Sequence, residues 1–355
     1  MTLQRPVSNT LWYSRSSVPT PLGIAAQLGW LDAEFARGPV SLASLQDSDD
    51  PARRAAHVDH RLPNCFRQGG SVPAIWARAA GADTRLIGLT WTDEFQVVLT
   101  RRGSGIRSAA DLRGRRLGLP LRAEESIDMA RATALRGYLT LLELAGISYR
   151  EVELVDVPAL PWADRSTPAF VDRPAGHLTR RDYAADVDAL LGGEVDAIYV
   201  KGVRGVEVAR LFEAQVAVAA DIGGHPDLRV RSNNATPRPL TVSAALLRER
   251  PDAVVRLLRR VVEVGTWAER HPFDTIALLS RETGSPEEWV SFAYSVEVHR
   301  HLHTGLAEYA VTALDDFKNF LFQWGFLPNN FSIRSWIDSA PLAEVLQQAQ
   351  DQRRA

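Results

Sequence analysis

Short apolar runs that alternate with amphipathic segments constrain the fold of this chain most strongly. Five runs have the composition of buried strands: Leu86–Thr90, Gln96–Leu99, Arg116–Leu119, Val152–Val155 and Ala197–Val200. Helical spacing of apolar residues is clearest in Thr133–Ala145 and in the segment that begins at Pro251, a residue suited to a first helical turn. Strands that alternate with helices predict an α/β fold with parallel or mixed sheets.

The length of 355 residues predicts two lobes, because domains usually contain about 100–200 residues. Two segments resemble crossings between lobes: a turn that enters a strand near Leu117–Pro120, and a Pro-rich stretch near Pro237–Thr241. We therefore expect one lobe from residues 1–116 and 240–355 and the other from residues 117–239.

Composition and charge exclude several classes of partner. A net charge of -2 with no basic stripe is not the pattern of a nucleic-acid-binding protein. No apolar run reaches the ~18 residues of a membrane span, and the N-terminus lacks the pattern of a secretory signal. The one cysteine, Cys65, cannot form an internal disulfide. We expect a cytoplasmic monomer that binds neither nucleic acid nor membrane.

The segment His57–Ala80 is the most informative about chemistry. Arg67 is followed by Gly69 and Gly70, and Pro73 opens a helix. Glycine amides at a helix start can approach an anion closely, and a guanidinium binds two oxygens at once. The segment predicts a cradle for a carboxylate, sulfinate, sulfonate or phosphate. The alternative is an ordinary turn beside a solvated arginine.

Two histidine clusters could be interpreted as metal sites. The first consists of His57, Asp59, His60 and Cys65. The second consists of His299, His301 and His303, which would share one face of an extended strand. The first cluster lacks the spacing of a zinc site and the second lacks a nearby acidic ligand. We interpret both clusters as polar or capping histidines and predict no metal and no cofactor.

Ser16, in YSRSSVPTP, is a candidate nucleophile if a histidine lies close to it. The alternative is a helix-capping or turn serine, a role that Ser17 could fill equally well. Cys65 could be a reactive thiolate, but a lone cysteine is also a common small buried apolar residue.

Read together, these segments resemble the aromatic sulfinate desulfinases. LWYSRSSVPTPLGIAAQLGWLD is followed about forty residues later by a His and then by Arg-x-Gly-Gly. The resemblance continues in RLIGLT, AADLRGRRLGL, GEVDAIY and FLFQWGFLPNNFSIRSWI, and it covers most of the chain. It implies a two-lobe type II periplasmic-binding-protein-like fold with an interlobe cleft, as in the binding proteins of sulfonate and nitrate transporters.

The resemblance also implies an active site. In that family a Cys, a His and an Arg act together, and glycine amides hold the sulfinate oxygens. The His corresponds to His57, the Arg to Arg67 and the second glycine to Gly70, with Gly69 beside it. The catalytic Cys corresponds to Ser16, which is the serious departure from the family.

A serine hydroxyl is a far weaker acid than a thiol, whose pKa is about 8.5. Three accounts of Ser16 stay open: an engineered Cys-to-Ser trap for a bound ligand, a natural relative with different chemistry, or a chain that only binds. We favour the first. A substitute role for Cys65 has less support, because the family has no thiol at that position.

Aromatic residues at strand ends are candidates for contact with the rest of the substrate. Trp91 ends a predicted strand, and Tyr183 and Tyr199 occupy comparable places in the second lobe. Each could equally be a core residue. Thr133 stands where the family has a pocket tryptophan, so the ring system of the substrate stays open.

The resulting hypothesis is a cofactor-free desulfinase-like hydrolase that cleaves the C–S bond of an aromatic sulfinate and releases sulfite. Ser16, as Cys, would attack sulfur or protonate the ring carbon, His57 would orient it, and Arg67 would neutralise the sulfinate. The alternative is a non-catalytic cytoplasmic binding protein for a small organic anion. A synthase of the thiamine pyrimidine precursor is disfavoured, because those enzymes use a cysteine-rich iron motif and this chain has one cysteine.

Overall fold

The computed structural model of the protein describes residues 9–158 and 183–354. The chain divides into two compact units. Unit 1 comprises Met1–Thr92, Asn234–Glu282 and Glu297–Ala355, and unit 2 comprises Asp93–Asn233 and Thr283–Val296. Within these described residues, each unit contains one β-sheet and several helices, so the predicted α/β class is confirmed.

The strands of the described ranges are β1 Thr10–Ser14, β2 Ser41–Ser44, β3 Cys65–Gln68, β4 Thr84–Thr90, β5 Gln96–Arg101, β6 Arg116–Leu121, β7 Glu153–Pro158, β8 Ala197–Lys201, β9 Val216–Asp221, β10 Arg238–Ser243 and β11 Thr304–Gly305. They form a six-stranded sheet in unit 1, with the order β11-β4-β10-β3-β1-β2, and a five-stranded sheet in unit 2, with the order β7-β6-β8-β5-β9.

Along the chain, the helices of unit 1 in the described ranges lie between its strands and after its last strand. They are Pro21–Gln27, Trp30–Phe35, Pro51–Asp59, Ser71–Ala79, Ala244–Glu249, Pro251–Arg270, Glu308–Gln323, Ile333–Trp336 and Ala340–Arg354. The helices of unit 2 in the described ranges are Met129–Leu144, Ala184–Gly192, Gly202–Leu211, Leu228–Arg231 and Glu287–Tyr294. The helix Pro272–Thr283 ends where the chain passes from unit 1 to unit 2. No helix in the described ranges is both long and apolar enough to cross a lipid bilayer.

Local sequence patterns account for most of these elements. The five predicted strands are confirmed as β4 to β8, and the predicted helix over 133–145 is confirmed as Met129–Leu144. Pro251 is the first residue of Pro251–Arg270, whose buried residues recur every three or four positions. Tertiary packing of that apolar face stabilises the helix more than its propensity does.

Strand β3 is the part of the unit 1 sheet that matters most for function. It lies between β1, to which it is parallel, and β10, to which it is antiparallel, and all four of its residues are buried. A strand in this position usually has apolar side chains. Arg67 and Gln68 depart from that pattern, so they require polar partners inside the unit.

Candidate active site

The pairing of β1 with β3 brings Ser14 beside Arg67. The two strands are parallel, with Tyr13 opposite Phe66 and Ser14 opposite Arg67. Residues opposite each other point to the same face of a sheet. Beyond the strand ends, the Ser16 hydroxyl donates to the carbonyl oxygen of Gln68 at 3.1 Å. The structure therefore brings two of the predicted site residues, Ser16 and Arg67, to the carboxyl ends of the neighbouring strands β1 and β3.

Arg67 is a buried cation. Only 3% of the residue is exposed. Its Nε donates to the His57 carbonyl oxygen at 2.8 Å and its Nη1 to the Gly70 carbonyl oxygen at 2.9 Å. Burial lowers its pKa to about 10, so the guanidinium stays charged at neutral pH. In residues 9–158 and 183–354, Nη2 has no hydrogen-bond acceptor and no carboxylate forms an ion pair with Arg67.

Gly69 leaves space where a side chain would collide with Ser16. A Cβ at Gly69 would lie 2.0 Å from Ser16 Oγ and 3.4 Å from Arg67 Nη2. The hydroxyl and the unused guanidinium nitrogen therefore border the same small volume. A glycine here lets a ligand approach both groups and the backbone amides.

Gly70 precedes the helix Ser71–Ala79 and is packed against Asn234. A Cβ at Gly70 would lie 2.5 Å from Asn234 Oδ1, and that oxygen accepts the amide hydrogen of Val72 at 3.1 Å. In the described part of the chain, the amides of Gly69 and Gly70 donate to no backbone carbonyl or side chain. The helix start adds partial positive charge beside these amides.

His57 lies on the helix Pro51–Asp59, half-buried, and its Nδ1 is 2.5 Å from Ser14 Oγ. Ser14 is fully buried and also accepts from Gln46 Nε2 at 3.3 Å. Desolvation, with the positive charge of Arg67 as the second cause, lowers the pKa of His57 to about 3. His57 is therefore neutral at physiological pH.

Cys65 and the predicted histidine clusters take structural positions. The Cys65 thiol is buried, donates to the Phe66 carbonyl oxygen at 3.3 Å and has a pKa raised to about 12 by burial, so it is not a thiolate. Val298–Arg300 form a turn of 3-10 helix, so the extended strand considered for His299, His301 and His303 is wrong. No three His, Cys, Asp or Glu side chains of the described ranges are arranged to hold a metal.

Of the three candidate aromatic residues, one lies in unit 1 and two lie in unit 2. Trp91, in unit 1, follows β4, is 9% exposed and packs edge-on against Tyr309 with ring centroids 5.5 Å apart. In unit 2, the Tyr183 hydroxyl accepts the amide hydrogen of Lys201 at 3.1 Å. Tyr199 is buried, and its hydroxyl is 2.8 Å from Gln96 Oε1.

Arg15, between the two site serines, faces a buried carboxyl group. Arg15 Nε lies 3.6 Å from Glu282 Oε1, and Gln27 Nε2 donates to Glu282 Oε2 at 2.8 Å. A Cβ at Gly23 would lie 2.8 Å from Glu282 Oε1, so the carboxyl fits closely against the helix Pro21–Gln27. Burial raises the pKa of Glu282 to about 7, although Arg15 acts in the opposite direction.

We expect Glu282→Gln to remove a pH-dependent loss of stability. Glu282 is protonated in both states below its unfolded pKa of about 4.5. As pH rises toward 7, the unfolded chain ionises first, so folding stability is lost. The free energy of unfolding of Glu282→Gln, relative to the parent chain, should rise by about 2 to 3 kcal/mol between pH 5 and pH 8. Urea unfolding at both pH values measures this difference.

The control is Glu249→Gln, which changes an exposed glutamate of the same unit in the same way. Its difference from the parent chain should be similar at the two pH values. An equally flat difference for Glu282→Gln would mean that this carboxyl is ionised in the folded protein at pH 5.

Two comparisons of sequence bear on this site. The family model described as "NMT1/THI5 like" matches residues 69–167, which begin at Gly69. The 2'-hydroxybiphenyl-2-sulfinate desulfinases of Rhodococcus erythropolis and Rhodococcus qingshengii are each 28% identical over 359 aligned residues, covering 94% of this chain and 93% of theirs. This chain is a homologue of those desulfinases. The resemblance in its sequence is thus confirmed.

Solved structures confirm the predicted fold of this desulfinase homologue. A cysteine-to-serine mutant of the desulfinase DszB, crystallised with biphenyl-2-sulfinic acid, has a TM-score of 0.73 at 26% identity, covering 96% of this chain and 99% of that one. The periplasmic aliphatic sulphonate-binding protein SsuA from Escherichia coli has a TM-score of 0.60 at 16% identity, covering 94% and 92% of the two chains. The fold is that of the periplasmic binding proteins.

Proposed function

We propose that unit 1 of this desulfinase homologue binds an aromatic sulfinate at Arg67 and that the residue at position 16 determines whether the C–S bond is cleaved. The observation that supports this proposal most directly is that the buried guanidinium of Arg67 has no acidic partner among the described residues. A buried, uncompensated charge is costly, and an anionic ligand would remove that cost. The reaction would be ArSO₂⁻ + H₂O → ArH + HSO₃⁻, which consumes only water.

Each part of the site has a role in this proposal. Arg67 Nη2 and the amides of Gly69 and Gly70 donate to the sulfinate oxygens, which are the charged end of the ligand. The hydroxyl of Ser16 borders the same volume and faces the sulfur or the ring carbon bonded to it. Trp91 is our candidate for contact with the aromatic ring. Tyr183 and Tyr199 hydrogen-bond within unit 2 and are not part of the proposal.

With serine at position 16, we expect the protein to be a slow enzyme or to bind the ligand without converting it. A thiol can attack sulfur or give a proton to the ring carbon near neutral pH, whereas a serine hydroxyl does either poorly. A cysteine-to-serine mutant of DszB was crystallised with biphenyl-2-sulfinic acid, which supports binding of a sulfinate in a site where a hydroxyl replaces a thiol.

Ser16 also favours a second candidate function, a binding protein for a small organic anion that performs no chemistry. The likeness in fold to sulfonate-binding proteins is compatible with it. The two candidates share the anion site at Arg67. They differ in whether a thiol at position 16 produces sulfite.

Calorimetry with biphenyl-2-sulfinate tests the shared anion site. We expect the parent chain to bind it and Arg67→Gln to bind about 10- to 100-fold more weakly, because charge-assisted hydrogen bonds to the sulfinate are lost. Arg61→Gln is the matched control, since Arg61 is exposed nearby, and should bind like the parent chain. Undiminished binding by folded Arg67→Gln would contradict the proposal.

A further inference from the structure

The amide of Gln46 has a fixed orientation beside the site. The backbone amide of Arg15 donates to Gln46 Oε1 at 3.1 Å, and Gln46 Nε2 donates to the Arg15 carbonyl oxygen at 2.8 Å. A backbone N–H only donates and a carbonyl only accepts, so the oxygen and nitrogen of Gln46 cannot be exchanged. The hydroxyl of Ser44, 3.0 Å from Oε1, agrees with this assignment.

This orientation determines the direction of the next hydrogen bond. Gln46 Nε2 has only hydrogens to give, so Ser14 Oγ, at 3.3 Å, is its acceptor. Ser14 is completely buried, and in the described ranges its own hydrogen has one neighbouring acceptor, His57 Nδ1 at 2.5 Å. Ser14 therefore donates to Nδ1.

We propose that Gln46 and Ser14 are positioning residues that hold His57 in its Nε2–H form, so that His57 offers a hydrogen-bond donor to a bound sulfinate oxygen. A ring nitrogen that accepts a hydrogen bond carries no proton, which leaves the proton of the neutral ring on Nε2. This role differs from that of a base that takes a proton from residue 16. The inference depends on the proposed function for its ligand, but the tautomer is a property of the free protein.

The surroundings of His57 agree with a neutral donor. Arg67 donates through Nε to the backbone carbonyl oxygen of His57. The guanidinium thus places a positive charge close to the imidazole ring of His57, which disfavours a second proton on that ring. The lowered pKa of His57 also indicates a neutral ring near pH 7. Nε2 has no hydrogen-bond partner in residues 9–158 and 183–354, and His57 as a residue is only half-buried. A ligand oxygen would supply that partner.

The direct test is ¹⁵N NMR of the histidine side chains in the ligand-free full chain, with the His57 signal identified by its absence in His57→Gln. We expect the signature of an unprotonated Nδ1 and a protonated Nε2 at every pH from 5 to 8. A proton on Nδ1, or a ring that titrates within this range, would overturn the inference. Neither result depends on sulfinate binding, so the proposed function can fail or succeed separately.

Variants connect the tautomer to the ligand. Ser14→Ala should lose the single Nε2–H signature and bind biphenyl-2-sulfinate about threefold to tenfold more weakly, the usual value of one hydrogen bond. Gln46→Met should shift the same signal if Ser14→Ala does not fold. Ser17→Ala, an exposed serine in the same segment, is the control and should change neither readout.

Substitution of His57 itself separates a donor from a base. The amide of His57→Gln can still donate, so its affinity for the sulfinate should stay within about threefold of the parent chain, whereas His57→Ala should lose about tenfold. Equal losses in both variants, with an unchanged signature in Ser14→Ala, would show that the hydrogen-bond chain from Gln46 has no part in binding.

Discussion

The Ser16→Cys variant should release sulfite from biphenyl-2-sulfinate at least about 10²- to 10⁴-fold faster than the parent chain, the range that a positioned acid or base contributes. Ser16 Oγ and Arg67 Nη2 lie 2.0 Å and 3.4 Å from the position of a Gly69 Cβ, so a thiol at position 16 would adjoin the bound sulfinate. The buried positive charge of Arg67 would also favour the thiolate.

Sulfite release and disappearance of the sulfinate, measured in the same reaction, test this expectation and the balance of the proposed equation. Ser17→Cys is the matched control, because it places a thiol at the adjacent exposed residue. It should remain as inactive as the parent chain. If Ser16→Cys binds aromatic sulfinates of several ring systems and releases no sulfite from any of them, the binding-protein alternative is correct.

Local sequence patterns predicted much of the fold, because each strand or helix is encoded by its own residues. The apolar runs Leu86–Thr90 and Ala197–Val200 form buried strands, and their composition predicts this without knowledge of the neighbouring strands. The alternating histidines 299, 301 and 303 show the limit of this reasoning. Their spacing is that of a strand, but His299 lies in the 3-10 turn Val298–Arg300 and His303 pairs with Glu269 at 2.9 Å.

The site was only partly predictable from sequence. Arg67, Gly69 and Gly70 lie within four consecutive residues of the chain, so their cradle is a local feature. The partner of His57 is not, because it depends on the register that places Ser14 opposite Arg67. Gln46 and Asn234 were missed for the same reason. The signals that the sequence offers for them are a polar residue five positions before Pro51 and an Asn-Asn pair at 233–234.

The Gly69→Ala substitution should disable the site more completely than loss of any one hydrogen bond. Its Cβ would lie 2.0 Å from Ser16 Oγ and 2.9 Å from Ser16 Cβ, distances that side chains do not tolerate, so Ser16 and its loop must move. In the Ser16→Cys background, sulfite release should fall at least about 10²-fold, as expected when a reacting group is displaced by about 1 Å. Sulfinate affinity should fall as well.

Gly192→Ala provides the matched control for this prediction, because a Cβ at Gly192 meets no atom within 4 Å and the residue has no positive φ. It should leave binding and sulfite release unchanged. Thermal unfolding of both variants separates a displaced site from a damaged fold. Full affinity and turnover in a folded Gly69→Ala protein would mean that the sulfinate and residue 16 do not meet beside Gly69, and the arrangement proposed for Arg67 and Ser16 would have to be abandoned.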